Sequence, residues 1–118
     1  MSGKDKDKKA TDKDKRATIA EGLQLVEKIV SALLVRQDST PFREPVDWRQ
    51  MNLLDYPDKV KRPMDLGTVK KLLAAGTYRT LRQCADDVRQ VWSNCKAYNP
   101  EGSELHELSV SLSKRFEV

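Results

Sequence analysis

Apolar residues recur at three- and four-residue steps in four separate stretches of this chain, each bounded by residues that start or stop helices. The first stretch, Thr18 to about Arg36, carries Ile19, Leu23, Val26, Ile29 or Val30, and Leu33, with Thr18 and Glu21 spaced as a capping box. The second, about Asp65 to Ala75, offers Asp65 as an N-cap, an apolar stripe of Leu66, Val69, Leu72 and Leu73, and a stop at Gly76. The third runs from Leu81 to about Tyr98 behind a Thr80/Gln83 capping-box pair, and its inner face is expected to hold Cys84, Ala85, Val88, Val91, Trp92 and Cys95. The fourth starts near Ser103 and presents Leu105, Leu108, Leu112 and Phe116. No alternating pattern competes with these periods, so the predicted class is all-α, a bundle of four amphipathic helices.

Between the first and second helices lies Asp38 to Pro63, which has no sustained period and holds four of the five prolines. It reads as an ordered loop with a helical turn near Asp55 to Val60. A structureless connection of about 25 residues is unusual in a compact domain and is often functional. At the far end of the third helix, Tyr98-Asn99-Pro100 opens a turn at Glu101-Gly102. An asparagine before proline is ordinarily a turn former, yet here its amide is also a recognition group on a rigid support.

Composition narrows the picture. At 118 residues and 38% apolar content, the chain has room for one domain and one core. No run approaches about 18 apolar residues, and the N-terminus alternates lysine and aspartate instead of carrying an apolar leader, so the chain is expected to be soluble and intracellular, without membrane contact. Of its 22 basic and 18 acidic residues, residues 1–16 hold seven and four, leaving 15 and 14 for the rest. The positive excess therefore sits almost wholly in Met1 to Arg16, a segment expected to be a disordered tail, with direct nucleic-acid contact as its alternative use. The domain proper is then 17–118.

Cys84 and Cys95 are eleven residues apart on one predicted helix, about 16 Å of rise, too far for a mutual disulfide. With one histidine, His106, and no Cys-x-x-Cys spacing, no metal set is assembled, and no cofactor is implied. Asp86 and Asp87 are adjacent on a helix and read as a solvated face, not as paired catalytic carboxylates. Nothing has P-loop or triad spacing, so an enzyme is not expected.

Several motifs agree in order and spacing with one family. Pro41-Phe42, Pro45-Val46-Asp47, Asp55-Tyr56, Pro63-Met64-Asp65-Leu66-Gly67-Thr68, Asp87-Val88, Asn94-Cys95 and Tyr98-Asn99 resemble a bromodomain from roughly Thr18 to Val118. The resemblance implies a left-handed four-helix bundle whose long first loop and third loop frame a pocket for acetylated lysine, most often on histone tails. It implies a nuclear module of chromatin and transcription regulation.

Carried over by position, Asn99 resembles the asparagine that donates to the acetyl carbonyl, and Tyr56 the tyrosine that reaches the same oxygen through an ordered water. Pro41, Phe42, Val46, Met51 and Leu53 would line the pocket from the loop, Cys95 and Tyr98 from the third helix, and Leu105 takes the gatekeeper position. The chemistry suits these types. Acetylation replaces a hydrated ammonium with a neutral amide, which an apolar channel ending in an uncharged donor accepts far better. Two departures stand out: Thr40 occupies the place of the tryptophan that many members carry before Pro-Phe, and Pro57 that of an aromatic residue. Trp48 is the loop's other candidate for the missing apolar shelf. The alternative reading is a helical protein–protein interaction domain whose acetyl-lysine binding is weakened or lost.

Overall fold

The computed structural model describes the backbone of residues 12–117, with side chains from residue 19 onward. Its helices are α1 (Asp12–Leu34), the single turn α2 (Tyr56–Lys59), α3 (Leu66–Ala74), α4 (Leu81–Tyr98) and α5 (Glu104–Glu117), with a 3-10 segment over Gln37–Phe42. Among the described residues there is no strand, and the long helices α1, α3, α4 and α5 form a four-helix bundle. Helix α4 packs against α1, α3 and α5, and α1 against α3 and α5.

Local sequence sets most boundaries. Asp65 caps α3 by accepting the Thr68 amide at 2.8 Å and the Thr68 hydroxyl at 2.6 Å. Helix α3 ends in a Schellman arrangement: Gly76, at φ 71°, donates to the Leu73 carbonyl, and Thr77 donates to Leu72. Thr80 and Gln83 complete the expected capping box at the head of α4, each bonding the other's backbone amide.

The first helix departs from expectation at its start. It begins at Asp12, so Thr18 lies inside it and not at its start. Lysine, alanine and arginine are good helix formers, aspartates suit a first turn, and no glycine or proline interrupts residues 12–18. Residues 12–16 of the expected disordered tail are therefore helical, and the rest of that expectation, 1–11, lies outside the described residues.

The core gathers the periodic residues of all four long helices. Val30, Leu66, Val69, Cys84, Val88 and Leu112 are fully buried, and Trp92 meets Phe42 edge to face at a centroid distance of 5.4 Å. Phe42 thereby fastens the start of the long loop to the bundle. Two further ties hold that loop. The Gly67 amide donates to the Arg43 carbonyl at 3.1 Å, where any Cβ would come within 2.3 Å of that oxygen. At the loop's other end, the Arg62 guanidinium meets Asp87, and the Asn94 side chain donates to the Arg62 carbonyl at 2.8 Å.

Asp87 corrects the expected solvated face. Asp86 is exposed, but Asp87 is buried at 6% exposure, accepting from the Tyr78 hydroxyl at 2.7 Å as well as from Arg62. A buried carboxylate needs such partners, and together they lash the loop to α4. Burial, reinforced by the Asp87 carboxylate, raises the Tyr78 phenol far above its usual range, so it remains a donor.

Candidate functional site

Between the long loop and the last turns of α4 opens a cavity of about 570 Å³, within the range of small-ligand pockets. Its walls are mostly apolar: Pro41, Phe42, Pro45, Val46, Met51, Leu53 and Met64 come from the loop side, Val91 and Cys95 from α4, and Leu105 from α5. Tyr56, Asn94, Tyr98 and Asn99 supply polar atoms.

Asn99 sits at the C-cap of α4 with extended backbone. Its backbone amide and its side-chain Nδ2 both donate to the Cys95 carbonyl, at 2.9 and 3.0 Å. Nδ2 also lies 3.5 Å from Cys95 Sγ, a weak acceptor, so both contacts of the amide nitrogen go to Cys95, while Oδ1 has no partner among the described residues. The Asn99 carbonyl accepts from His106 Nδ1 at 3.1 Å, which places a proton on that nitrogen and gives the single histidine a bracing role.

Tyr56 is buried at 7% exposure, its ring 4.9 Å from that of Tyr98, and its hydroxyl has no hydrogen-bond partner among the described residues. Burial, with a smaller contribution from Cys95, pushes its phenol up, so it stays a neutral donor. Desolvation likewise raises the Cys95 thiol, whose Sγ donates to the Leu105 carbonyl at 3.3 Å. Neither group carries charge at neutral pH. Tyr98 is held from outside, donating to Asp55 at 2.6 Å, and Lys59 pairs with the same carboxylate at 3.4 Å.

A family model described as Bromodomain matches residues 26–111, spanning helices and cavity alike. The chain belongs to the bromodomain family. It is 39% identical over 100 residues to Transcription factor GTE10 of Arabidopsis thaliana, covering 85% of this chain and 9% of that protein. It is 38% identical over 107 residues to Bromodomain-containing factor 2 of Saccharomyces cerevisiae, covering 88% of this chain and 17% of that protein. Protein cbp-1 of Caenorhabditis elegans is 41% identical over 80 residues, 68% of this chain and 4% of that protein. The chain thus spans less than a fifth of the length of these relatives.

All ten residues singled out from the sequence, Asn99, Tyr56, Pro41, Phe42, Val46, Met51, Leu53, Cys95, Tyr98 and Leu105, line this cavity of the bromodomain. Cys95 was expected on the buried face of its helix and is instead half-buried, turned to the cavity. Thr40 is exposed at the rim, but Trp48 does not line the cavity and lies under the Arg49 guanidinium, 4.5 Å from its ring centroid. The role of Asn94 in holding Arg62, and of His106 in holding Asn99, escaped the sequence because each depends on a partner's position in space. Among the described residues no cluster of histidine, cysteine or acidic side chains could hold a metal, and no helix is long and apolar enough to cross a membrane.

Proposed function

We propose that this bromodomain recognises acetylated lysine, with histone tails as its targets in the nucleus and a place in chromatin or transcription regulation. The observation that carries the proposal is the state of Asn99 within an apolar cavity: one side-chain hydrogen is committed to the Cys95 carbonyl and the other has only the weak Cys95 Sγ acceptor, at 3.5 Å. That second hydrogen donates to the acetyl carbonyl, exchanging a weak acceptor for a stronger one, and the Tyr56 hydroxyl reaches the same oxygen through water. The lysine stem runs along Pro41, Val46, Leu53 and Leu105, while Phe42, packed on Trp92, closes the cavity toward the core. An unmodified ammonium would lose its hydration beside Asn99 and Tyr56, a cost of at least several kcal/mol. As a reader module, the domain binds without turnover. Kinship with proteins named as transcription factors and bromodomain-containing factors supports the nuclear setting.

The test is a binding screen across acetylated histone peptides with matched unmodified controls. Acetylation-dependent affinity is expected. Equal affinity for modified and unmodified peptides would instead favour the second reading, a helical interaction domain that has lost acetyl-lysine recognition; the exposed Thr40 without a shelf aromatic is the feature that favours it.

A further inference from the structure

Two carboxylates on the cavity's loop wall have no structural employment that uses their charge. Glu44 and Asp47 both line the cavity and are exposed, and among the described residues neither forms a salt bridge. Asp47 accepts only the Gln50 backbone amide, at 3.2 Å. The third acidic wall residue, Asp65, is spent on capping α3. No lysine or arginine lines the cavity among the described residues.

The basic residues that could neutralise this rim are mostly turned elsewhere. Arg36 is bidentate on Asp38 at 2.9 and 2.8 Å, and Arg43 donates inward to Ser39 Oγ at 3.1 Å and to the Arg36 carbonyl. Lys59 pairs with Asp55 and Arg62 with Asp87. Arg49 lies over Trp48, and Lys61, though exposed, is outside the cavity wall. An apolar cavity is thus bordered on its loop side by two exposed carboxylates that have no salt-bridge partner among the described residues.

We propose that Glu44 and Asp47 are specificity-determining residues that make the cavity prefer acetyl-lysine flanked by a lysine or arginine. This rests on the acetyl-lysine reading of the cavity. The rim then favours substrates rich in neighbouring positive charge, and the preference is electrostatic, so it weakens with salt.

The test uses the full chain and acetyl-lysine peptides in which one flanking residue at a time is arginine or its neutral isostere citrulline, with unacetylated controls. At low ionic strength the wild type should bind the arginine peptide about 2- to 5-fold more tightly for each carboxylate engaged, and the difference should shrink as salt rises. The double variant Glu44→Gln with Asp47→Asn should lose the preference, binding the arginine and citrulline peptides alike. Asparagine at 47 keeps an oxygen for the Gln50 amide, so the turn survives, and a thermal melt verifies the fold. Equal binding of arginine and citrulline peptides by the wild type at every position overturns the proposal, as does a preference that persists in the folded double variant. Acetyl-dependent binding of the citrulline peptide shows the underlying reading intact in either case; if no acetylated peptide outbinds its control, that reading fails and the proposal falls with it.

Discussion

Replacing Gly67 with alanine would drive a Cβ to 2.3 Å from the Arg43 carbonyl oxygen and 3.2 Å from the Asp65 carboxylate. The first contact is with backbone, which cannot rotate away as a side-chain tip can. Relief requires the loop at Arg43 to move off α3, which stretches the 3.1 Å bond from the Gly67 amide. Overpacking of this kind costs about 1–3 kcal/mol, and losing the hydrogen bond about 0.5–1.5 kcal/mol. Alanine's better helix propensity returns up to about 1 kcal/mol. The net loss is about 0.5–4.5 kcal/mol, at about 4–8 °C per kcal/mol for a domain of this size.

Gly22→Ala is the internal control. Gly22 lies inside α1, where a Cβ would meet only Leu81, at an ordinary 3.6 Å, so the same substitution should stabilise by about 0.5–1 kcal/mol. Urea unfolding of the two variants beside the wild type measures both signs. A Gly67→Ala protein as stable as the wild type, or more so, would refute the claim that the α3 head and the loop touch here as tightly as described. Because Arg43 lies between the cavity residues Phe42 and Glu44, Gly67→Ala should also weaken acetyl-peptide binding in protein that remains folded.

Thr40→Trp should supply the missing shelf: exposed Thr40 borders the cavity and Trp48 does not, so acetyl-peptide affinity should rise by about 1–2 kcal/mol, measured by calorimetry, and no gain would mean another surface already serves. Tyr98→Phe should alter the acid limb of stability. The Tyr98 hydroxyl holds the Asp55 carboxyl below its usual range, so this bond contributes above about pH 4 and is lost as pH falls through the lowered folded value. In thermal melts across pH 2 to 7, Tyr98→Phe should therefore lose less stability than the wild type on acidification; parallel curves would show that the bond contributes nothing.

Helix α4 was legible to the residue, because Thr80 and Gln83 write its start into the sequence and its apolar stripe repeats without interruption. The start of α1 was not, since Thr18 and Glu21 imitate a cap in the middle of residues that favour helix throughout. The 3-10 segment Gln37–Phe42 also went unseen: its turn is held by local contacts such as Ser39 Oγ to the Arg36 carbonyl at 2.8 Å, which leave no periodic trace. Asp87 looked solvated because its partners Tyr78 and Arg62 are brought to it only by the fold. The cavity residues themselves were legible through motif order, but the bracing of Asn99 was not. That bracing changes how Asn99 is best tested, since aspartate at 99 would set a carboxylate against the Cys95 carbonyl 3.0 Å away and disturb the helix end along with the ligand.

The most direct measurement is a calorimetric titration of the wild type and Asn99→Ala with one acetylated histone peptide and its unmodified twin, each protein first verified as folded by circular dichroism. The wild type should bind the acetylated peptide alone, and Asn99→Ala should lose about 1–3 kcal/mol of that binding, roughly 5- to 150-fold. Equal wild-type affinity for both peptides, or unchanged affinity in folded Asn99→Ala, would contradict acetyl-lysine recognition by this cavity.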